Sequence, residues 1–385
     1  MLLKNKQVAI IGGGPGGLTL AKLLQLKGIS VKLYERDTNK DSRVQGSPLD
    51  MHEHSGMAAL RAAGLQDVFK QTYMPGADKQ LIVNEQAEIF YSDHDKPEEN
   101  FGYEHFRPEI DRGILRKILL ESLEVDTVAW GSHFTYMEEQ GEGWLVHFKD
   151  GKTAYADVVV AADGANSKIR PYLTNIKPFY SGITMLEGNL TNAAINAPQV
   201  NQLIKGGKIM AFGKGKNILL GQKGNGDIGF YASLKAPENW AAKNNLNYSD
   251  NLQILNWFKQ EYAGWKSIWF ELFTNAETPF IPRPIYCMPL NQTWEAKPNL
   301  TMLGDAAHVM PPFAGEGANM AMLDALELSH CLTDNNYLTQ LEAIAAYETQ
   351  MRQRSAEAAR ESLLNGERMH SDTALPDMLS FFKGH

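Results

Sequence analysis

An α/β protein is predicted: a parallel sheet with crossover helices, joined to a mostly antiparallel sheet and closed by a long helix near the carboxyl end. Three observations carry this. Residues 8–34 read as strand, glycine-rich turn, helix and second strand. Continuous apolar runs of the parallel-sheet type return at 158–162 and 300–303. Between 176 and 282 the chain changes to short segments rich in Gly and Asn, as in an antiparallel sheet.

The elements follow in order. Val8, Ala9, Ile10 and Ile11 form a short apolar run, expected of a strand covered on both faces. After Gly12 to Gly17, the residues Leu18, Ala21, Leu23, Leu24 and Leu26 recur at helical spacing. Gly28 stands where that helix needs a left-handed residue to end. Val31, Leu33 and Tyr34 make a second strand ending at Glu35, so the unit suits a right-handed crossover. Residues 53–65 predict a helix ending near Gly64, 78–92 alternate like sheet, and 111–123 predict a helix with Ile114, Leu115, Ile118 and Leu119 on one stripe. Segments 218–220 and 228–234 read as strands, and 338–369 as a long helix charged on one face.

Composition narrows the function. The chain has 385 residues, 43% apolar and 21% charged, enough for two or three domains at roughly 150 residues each. Its 37 basic and 45 acidic residues give a net charge of −8, which argues against a nucleic-acid partner. Cys287 and Cys331 are the only cysteines, which excludes a disulfide framework and a zinc site built on cysteine clusters. No apolar run approaches the roughly 20 residues of a membrane helix. The first residues run straight into a strand-like segment without a leader pattern, so a cytoplasmic protein is expected.

The chemistry lies in three segments. Gly12-x-Gly14-Pro15-x-Gly17 lies between a strand and a helix, the context a dinucleotide fingerprint requires. Gly12 permits the turn, Gly14 admits the pyrophosphate, and Gly17 lets helix and strand pack closely. The helix N-terminus supplies positive partial charge. Glu35, with Arg36 beside it, is placed to accept ribose hydroxyls. The second segment, 158–170, contains Asp163, Gly164, Ser167 and Arg170. The third is Gly304-Asp305-Ala306-Ala307-His308, continuing through Pro311, Pro312, Phe313, Gly315, Glu316 and Gly317 into a helix. Asp305 has two readings, an acceptor for a polyhydroxyl chain or a helix cap. A helix N-terminus after Gly317 suits a flavin ring, whose charge becomes negative on reduction.

These motifs, together with Arg112-x-x-Leu115-x-x-x-Leu119, resemble the group A flavoprotein monooxygenases over nearly the whole chain. Within that family, residues 8–37, 43–56 and 304–317 are most similar to the tetracycline-inactivating monooxygenases. The resemblance implies a discontinuous Rossmann-like FAD-binding domain from 1–72, 101–175 and 283–337. It implies a substrate-binding β-sheet domain from 73–100 and 176–282, and a C-terminal helix from 338–385. Arg43 and Asp50 would touch flavin or nicotinamide, and Arg112, Asp163 and Asp305 would bind FAD. Gly315, Glu316, Gly317 and Ala318 would cradle the ring, Pro312 and Phe313 would face ring and substrate, and Met369 would close the pocket. Glu187, Lys208 and Gly229 fall where tetracycline-inactivating relatives carry glutamine, arginine and histidine. Lysine for arginine keeps the charge but loses the fork.

The implied reaction takes electrons from NADPH or NADH and passes one atom of O2 to an electron-rich phenolic or enolic carbon, with a tetracycline the leading substrate. It needs no protein nucleophile and no metal, and a monomer is expected. A flavin dehydrogenase or oxidase, or a flavin-bound sequestering protein, stays open at this point. Elsewhere, His308 reads as a packed histidine, Cys287 and Cys331 as buried small hydrophobes, and Trp257, Trp265 and Trp269 as packing residues. Helical spacing puts Arg352, Arg354, Arg360 and Arg368 on a solvated face, with Glu357 beside Arg354 and Arg360.

Overall fold

The computed structural model describes residues 2–42, 48–97 and 100–383. Its five-stranded sheet runs Leu300–Met302, Val158–Ala161, Gln7–Ile11, Ser30–Tyr34, Val128–Ala129, every neighbouring pair parallel. Central position explains why Val8 to Ile11 and Val158 to Ala161 are apolar throughout: all eight residues are buried. The helix Pro15–Leu26 crosses back over this sheet and packs on Gly317–Thr333, so the glycine turn and the 304–317 segment meet at one end of the sheet.

A seven-stranded sheet runs Glu277–Cys287, Phe179–Leu190, Ile228–Lys235, Lys216–Gln222, Lys208–Gly213, Gln80–Asn84, Ile89–Ser92. It is antiparallel except where Lys208–Gly213 runs parallel to Gln80–Asn84. Strand alternation divides its faces. Leu186, Ile209, Ile218 and Phe230 point into a core with Phe258, Trp265 and Trp269, with Trp257 against its edge. Ile82 and Phe212 point the other way, onto Met369 and Met378, with Met210, Leu219 and Phe313 packed against them. The strand Glu277–Cys287 continues through residue 282, so a division of the chain at that point falls inside a strand. Smaller sheets join Phe134–Gln140, Gly143–Phe148 and Thr153–Ala156, and pair Leu49–Asp50 with Glu109–Ile110.

The terminal segment is two helices where a single one was expected. Gln340–Met369 starts at a capping box of Thr339 and Glu342 and ends at His370. Ala374–Lys383 follows after Ser371 to Thr373 and returns across the seven-stranded sheet against Gln80–Asn84 and Lys208–Gly213. The break has a cause in its polar residues. His370 turns its ring back onto the Gly366 carbonyl (2.7 Å), and the Thr373 hydroxyl bonds Asp377 (2.8 Å). Arg354 also departs from expectation. It bonds Asp324 (2.9 Å) and Glu327 (2.6 Å) on the neighbouring helix, while Arg360 and Arg368 are exposed. Arg352 lies over the Trp294 ring. Among the described residues no helix is long and apolar enough to cross a membrane, and no group of three or more His, Cys, Asp or Glu side chains is placed to hold a metal ion.

Candidate active site

Each glycine of the turn has its own job. Gly12 has φ +116°, and an added Cβ would lie 2.2 Å from the Ala162 carbonyl oxygen. At Gly17 a Cβ would lie 2.2 Å from the Gly12 carbonyl. Gly14 differs: nothing lies within 4 Å of its Cβ position, and Pro15 opens the helix beside it. The space over Gly14 and the free N–H groups of the first turn therefore fit a pyrophosphate. Glu35 is 2% exposed. Its carboxylate accepts the Gly13 N–H (2.6 Å) and the Asp37 N–H (3.0 Å), so it braces the turn from beneath. Arg36 next to it is exposed. Glu35→Ala strands both N–H groups and should cost about 1–3 kcal/mol of stability along with FAD affinity. Denaturation of the apoprotein and FAD titration read the two effects separately, and unchanged FAD affinity would count against a ribose contact.

The second and third motifs are tied together. Arg170 donates to the carbonyls of Ala165 (2.9 Å), Asp305 (3.0 Å) and Ala306 (2.7 Å). Asp163 uses one oxygen to accept the Lys168 N–H (2.8 Å), and the other is buried and finds no hydrogen-bond partner among the described residues. That orphaned acceptor is what a hydroxylated ligand would satisfy. Asp305 is the first residue of the short helix Asp305–His308, and Gly304 holds the cap position, which disposes of the cap reading. Burial pushes the Asp305 carboxyl up, against the opposing charges of His308, Arg112 and Arg170. His308 is buried and its Nε2 lies 2.5 Å from Asp324, which also accepts the Gly304 N–H (2.9 Å).

The loop of residues 312–318 is held from two sides. Ser362 donates to the Pro311 carbonyl (2.5 Å) and Asn365 to the Phe313 carbonyl (3.3 Å). Gly366 leaves room for the Phe313 ring, which an added Cβ would approach to 2.8 Å. From the other side, both Asp50 oxygens lie 3.2 Å from the Cβ position of Gly315, whose φ is +70°. Gly317 begins the helix with open space above it, followed by Ala318. Arg43 lies outside the described residues.

His52, which the motif reading passed over, sits in this cluster. Its Nε2 lies 3.1 Å from Asp50 and its Nδ1 3.1 Å from Glu316. Its N–H donates to Asn319 (2.9 Å), and Asn319 donates to the carbonyls of Asp50 (2.9 Å) and Gly315 (3.3 Å). Burial pulls the imidazole down, but hydrogen bonds to Asp50 and Glu316 outweigh it and push it up to about 9. A raised imidazole stabilises the fold fully below its ordinary 6.5, and that contribution disappears as pH rises through 9. Burial pushes Asp50 up, yet the His52 bond and the Lys208 charge hold it below the usual carboxylate range.

On the sheet, Asn189, Gly229, Gly221, Lys208 and Gln80 form one cross-strand row. The next row on that face is Glu187, Tyr231, Leu219, Met210 and Ile82. Glu187, Lys208 and Gly229 thus share the face turned away from the sheet's own core. Glu187 and Lys208 have separate partners: Arg283 (2.6 Å) and Glu109 (2.5 Å). Burial lowers Lys208, but Glu109 and Asp50 hold it above the ordinary lysine range. Tyr231, Leu219 and Met210 are half-buried beside them, a wall that only strand register reveals. Met369 is buried against this face. A cavity of about 250 Å³ opens beside Phe313, with Phe179, Ile183 and Leu363 in its lining together with the polar Ser181 and Glu367.

A parallel sheet with an open glycine turn, and a second sheet whose half-buried face lies near the N-terminus of the helix Gly317–Thr333, is an arrangement suited to a dinucleotide cofactor. The family described as "FAD binding domain" matches residues 5–217 and 292–362, and the chain belongs to it, among the group A flavoprotein monooxygenases. It is an FAD-dependent monooxygenase. The "Monooxygenase penA" of Penicillium thymicola is 26% identical over 374 residues, covering 85% of this chain and 84% of that protein. The 6-hydroxynicotinate 3-monooxygenase of Pseudomonas fluorescens is 26% identical over 380 residues, covering 93% and 90%. In fold, the chain is similar to the crystal structure of tetracycline destructase Tet(55), with a TM-score of 0.76 and 18% identity, over 97% of this chain and 92% of that one.

Proposed function

We propose that this enzyme hydroxylates an electron-rich phenolic or enolic substrate with NAD(P)H and O2, and that a tetracycline is the first substrate to try. The observation that carries the reading is the 312–318 loop at the start of a 17-residue helix, opposite the half-buried face of the seven-stranded sheet. Bound FAD would take electrons from the nicotinamide and supply the oxygen-transfer chemistry. Gly12, Gly14, Pro15 and Gly17 would hold its phosphates, with Glu35 and Arg36 at the adenosine end. Arg112, Asp163 and Asp305 would bind its middle, and Asp50, Pro312, Gly315, Glu316, Gly317 and Ala318 its ring. Phe313 and Met369 would exclude water, while Glu187, Lys208 and Gly229 would meet the substrate. Residues 1–72, 101–175 and 283–337 would form the cofactor unit, 73–100 and 176–282 the substrate unit, and 338–385 the terminal cover. The nicotinamide would dock transiently, and the enzyme would act as a cytoplasmic monomer.

A second reading has its own support. Drug-sized ligands occupy clefts of about 300–1,000 Å³, and the cavity beside Phe313 is about 250 Å³. That suits a one- or two-ring hydroxyarene, whereas a four-ring tetracycline needs the cavity to widen at Phe313. The likeness to a 6-hydroxynicotinate 3-monooxygenase points the same way. The test follows NADPH and NADH oxidation by the FAD-loaded enzyme with a tetracycline, a hydroxypyridine or a hydroxybenzoate, with product mass. Faster oxidation and one added oxygen in the tetracycline arm support the first reading; the same result only with the small rings supports the second. Stoichiometric peroxide with every substrate unchanged overturns both.

A further inference from the structure

The 312–318 loop carries a carboxylate, Glu316, at the helix end proposed to face the flavin ring. Glu316 immediately precedes the helix Gly317–Thr333, at the end whose positive partial charge would favour a reduced, negatively charged ring. One Glu316 oxygen is bound to His52, and the other is buried and accepts nothing from the described residues. Asp50 brings a second carboxylate against Gly315 in the same loop. Two acids facing one ring would oppose the charge it gains.

The compensation is on the page. His52 is 9% exposed, and each of its ring nitrogens meets one of these carboxylates at 3.1 Å. Its backbone N–H is fixed by Asn319, which also holds the Asp50 and Gly315 carbonyls. We infer that His52 is a positioning residue: shared as an imidazolium between Asp50 and Glu316, it holds the 312–318 loop in its ring-receiving shape and neutralises the Glu316 carboxylate. With both nitrogens facing acceptors, only the doubly protonated ring donates to both. A neutral ring leaves one carboxylate without a donor, and the bridge from Asp50 through His52 to Glu316 of the loop is broken at one end.

The charges around the imidazole fix the direction of the pH effect. Asp50 and Glu316 favour its proton, and Arg107, 3.8 Å from Asp50, opposes it. Behind Asp50, Lys208 is engaged with Glu109. Deprotonation therefore falls on the alkaline side, and FAD binding should weaken there. The inference requires FAD binding, which the family establishes, and is independent of the substrate taken.

Two measurements test it. In the FAD-free protein, NMR of the imidazole, assigned by comparison with His52→Gln, should show His52 titrating near 9. Titration at or below 6.5 would overturn the inference. The FAD dissociation constant, followed by flavin fluorescence between pH 7 and 9.5, should rise about tenfold, the expected cost being about 1.4 kcal/mol. His52→Gln should bind with the weaker constant throughout and show no step. If that variant does not fold, Glu316→Gln serves: with one acid removed, the step moves to lower pH. A wild-type constant flat with pH, a His52→Gln protein that keeps the full step, or a step unmoved in Glu316→Gln each sinks the inference. None of these readings depends on turnover.

Discussion

Gly12→Ala should yield a protein that neither folds stably nor retains FAD, whereas Gly14→Ala should fold normally and bind the cofactor far more weakly. The two positions are separated by a single residue, and their surroundings set the difference. At Gly12 the new Cβ meets the Ala162 carbonyl at 2.2 Å, and φ is +116°. The backbone strain costs about 1–3 kcal/mol. Relieving the clash costs about 1–3 kcal/mol more, because Ala162 directly follows a central strand that cannot retreat. Against a total stability of about 5–15 kcal/mol that is a large share.

At Gly14 the backbone is extended, at φ −79° and ψ 175°, and the Cβ position is open. Nothing in the fold resists a methyl there. The methyl instead occupies the approach to the helix N-terminus. A loss of about 100-fold in FAD affinity, or about 2.8 kcal/mol, is expected. Thermal melts of the FAD-free variants and FAD titrations separate the two cases. Wild-type FAD affinity in Gly14→Ala would move the pyrophosphate away from this turn.

These glycines were legible because their chemistry is local. A strand, three spaced glycines and a helix lie within 20 consecutive residues, and the turn they make depends on no distant partner. The same holds for Gly304 with Asp305 and for the helix after Gly317. The terminal helix was legible in its first 30 residues by its periodicity, but its break was not, since it depends on the His370 ring turning inward. What the sequence hides is pairing across the fold. His52 meets Glu316 at a separation of 264 residues and Lys208 meets Glu109 at 99, and no spacing rule links such positions. Arg354 shows how a local rule misleads. It shares a helical face with Glu357, but Asp324 and Glu327 on the adjoining helix each take one guanidinium N–H, and tertiary packing wins.

That partnership leads to the second large effect. Asp324→Ala should destabilise the protein by about 3–5 kcal/mol, the usual result of removing one member of a buried ion pair. Asp324 is 1% exposed and serves three partners at once: the Gly304 N–H, His308 and Arg354. Burial works against its charge, but His308 and Arg354 hold its carboxyl below the ordinary range, so it is ionised at neutral pH. Its loss leaves a buried imidazole and a buried N–H without acceptors, whereas Arg354 keeps Glu327. The damage therefore concentrates at Gly304, whose φ of +58° and ψ of −145° set the start of the helix Asp305–His308. FAD affinity should fall along with stability. Asp324→Asn retains an acceptor for Gly304 but no charge for His308 or Arg354, and should fall between wild type and alanine in both measurements. Denaturant unfolding of the FAD-free proteins gives the first quantity and FAD titration the second. A loss below about 1 kcal/mol in Asp324→Ala would mean that the carboxylate's desolvation cancels what its partners return.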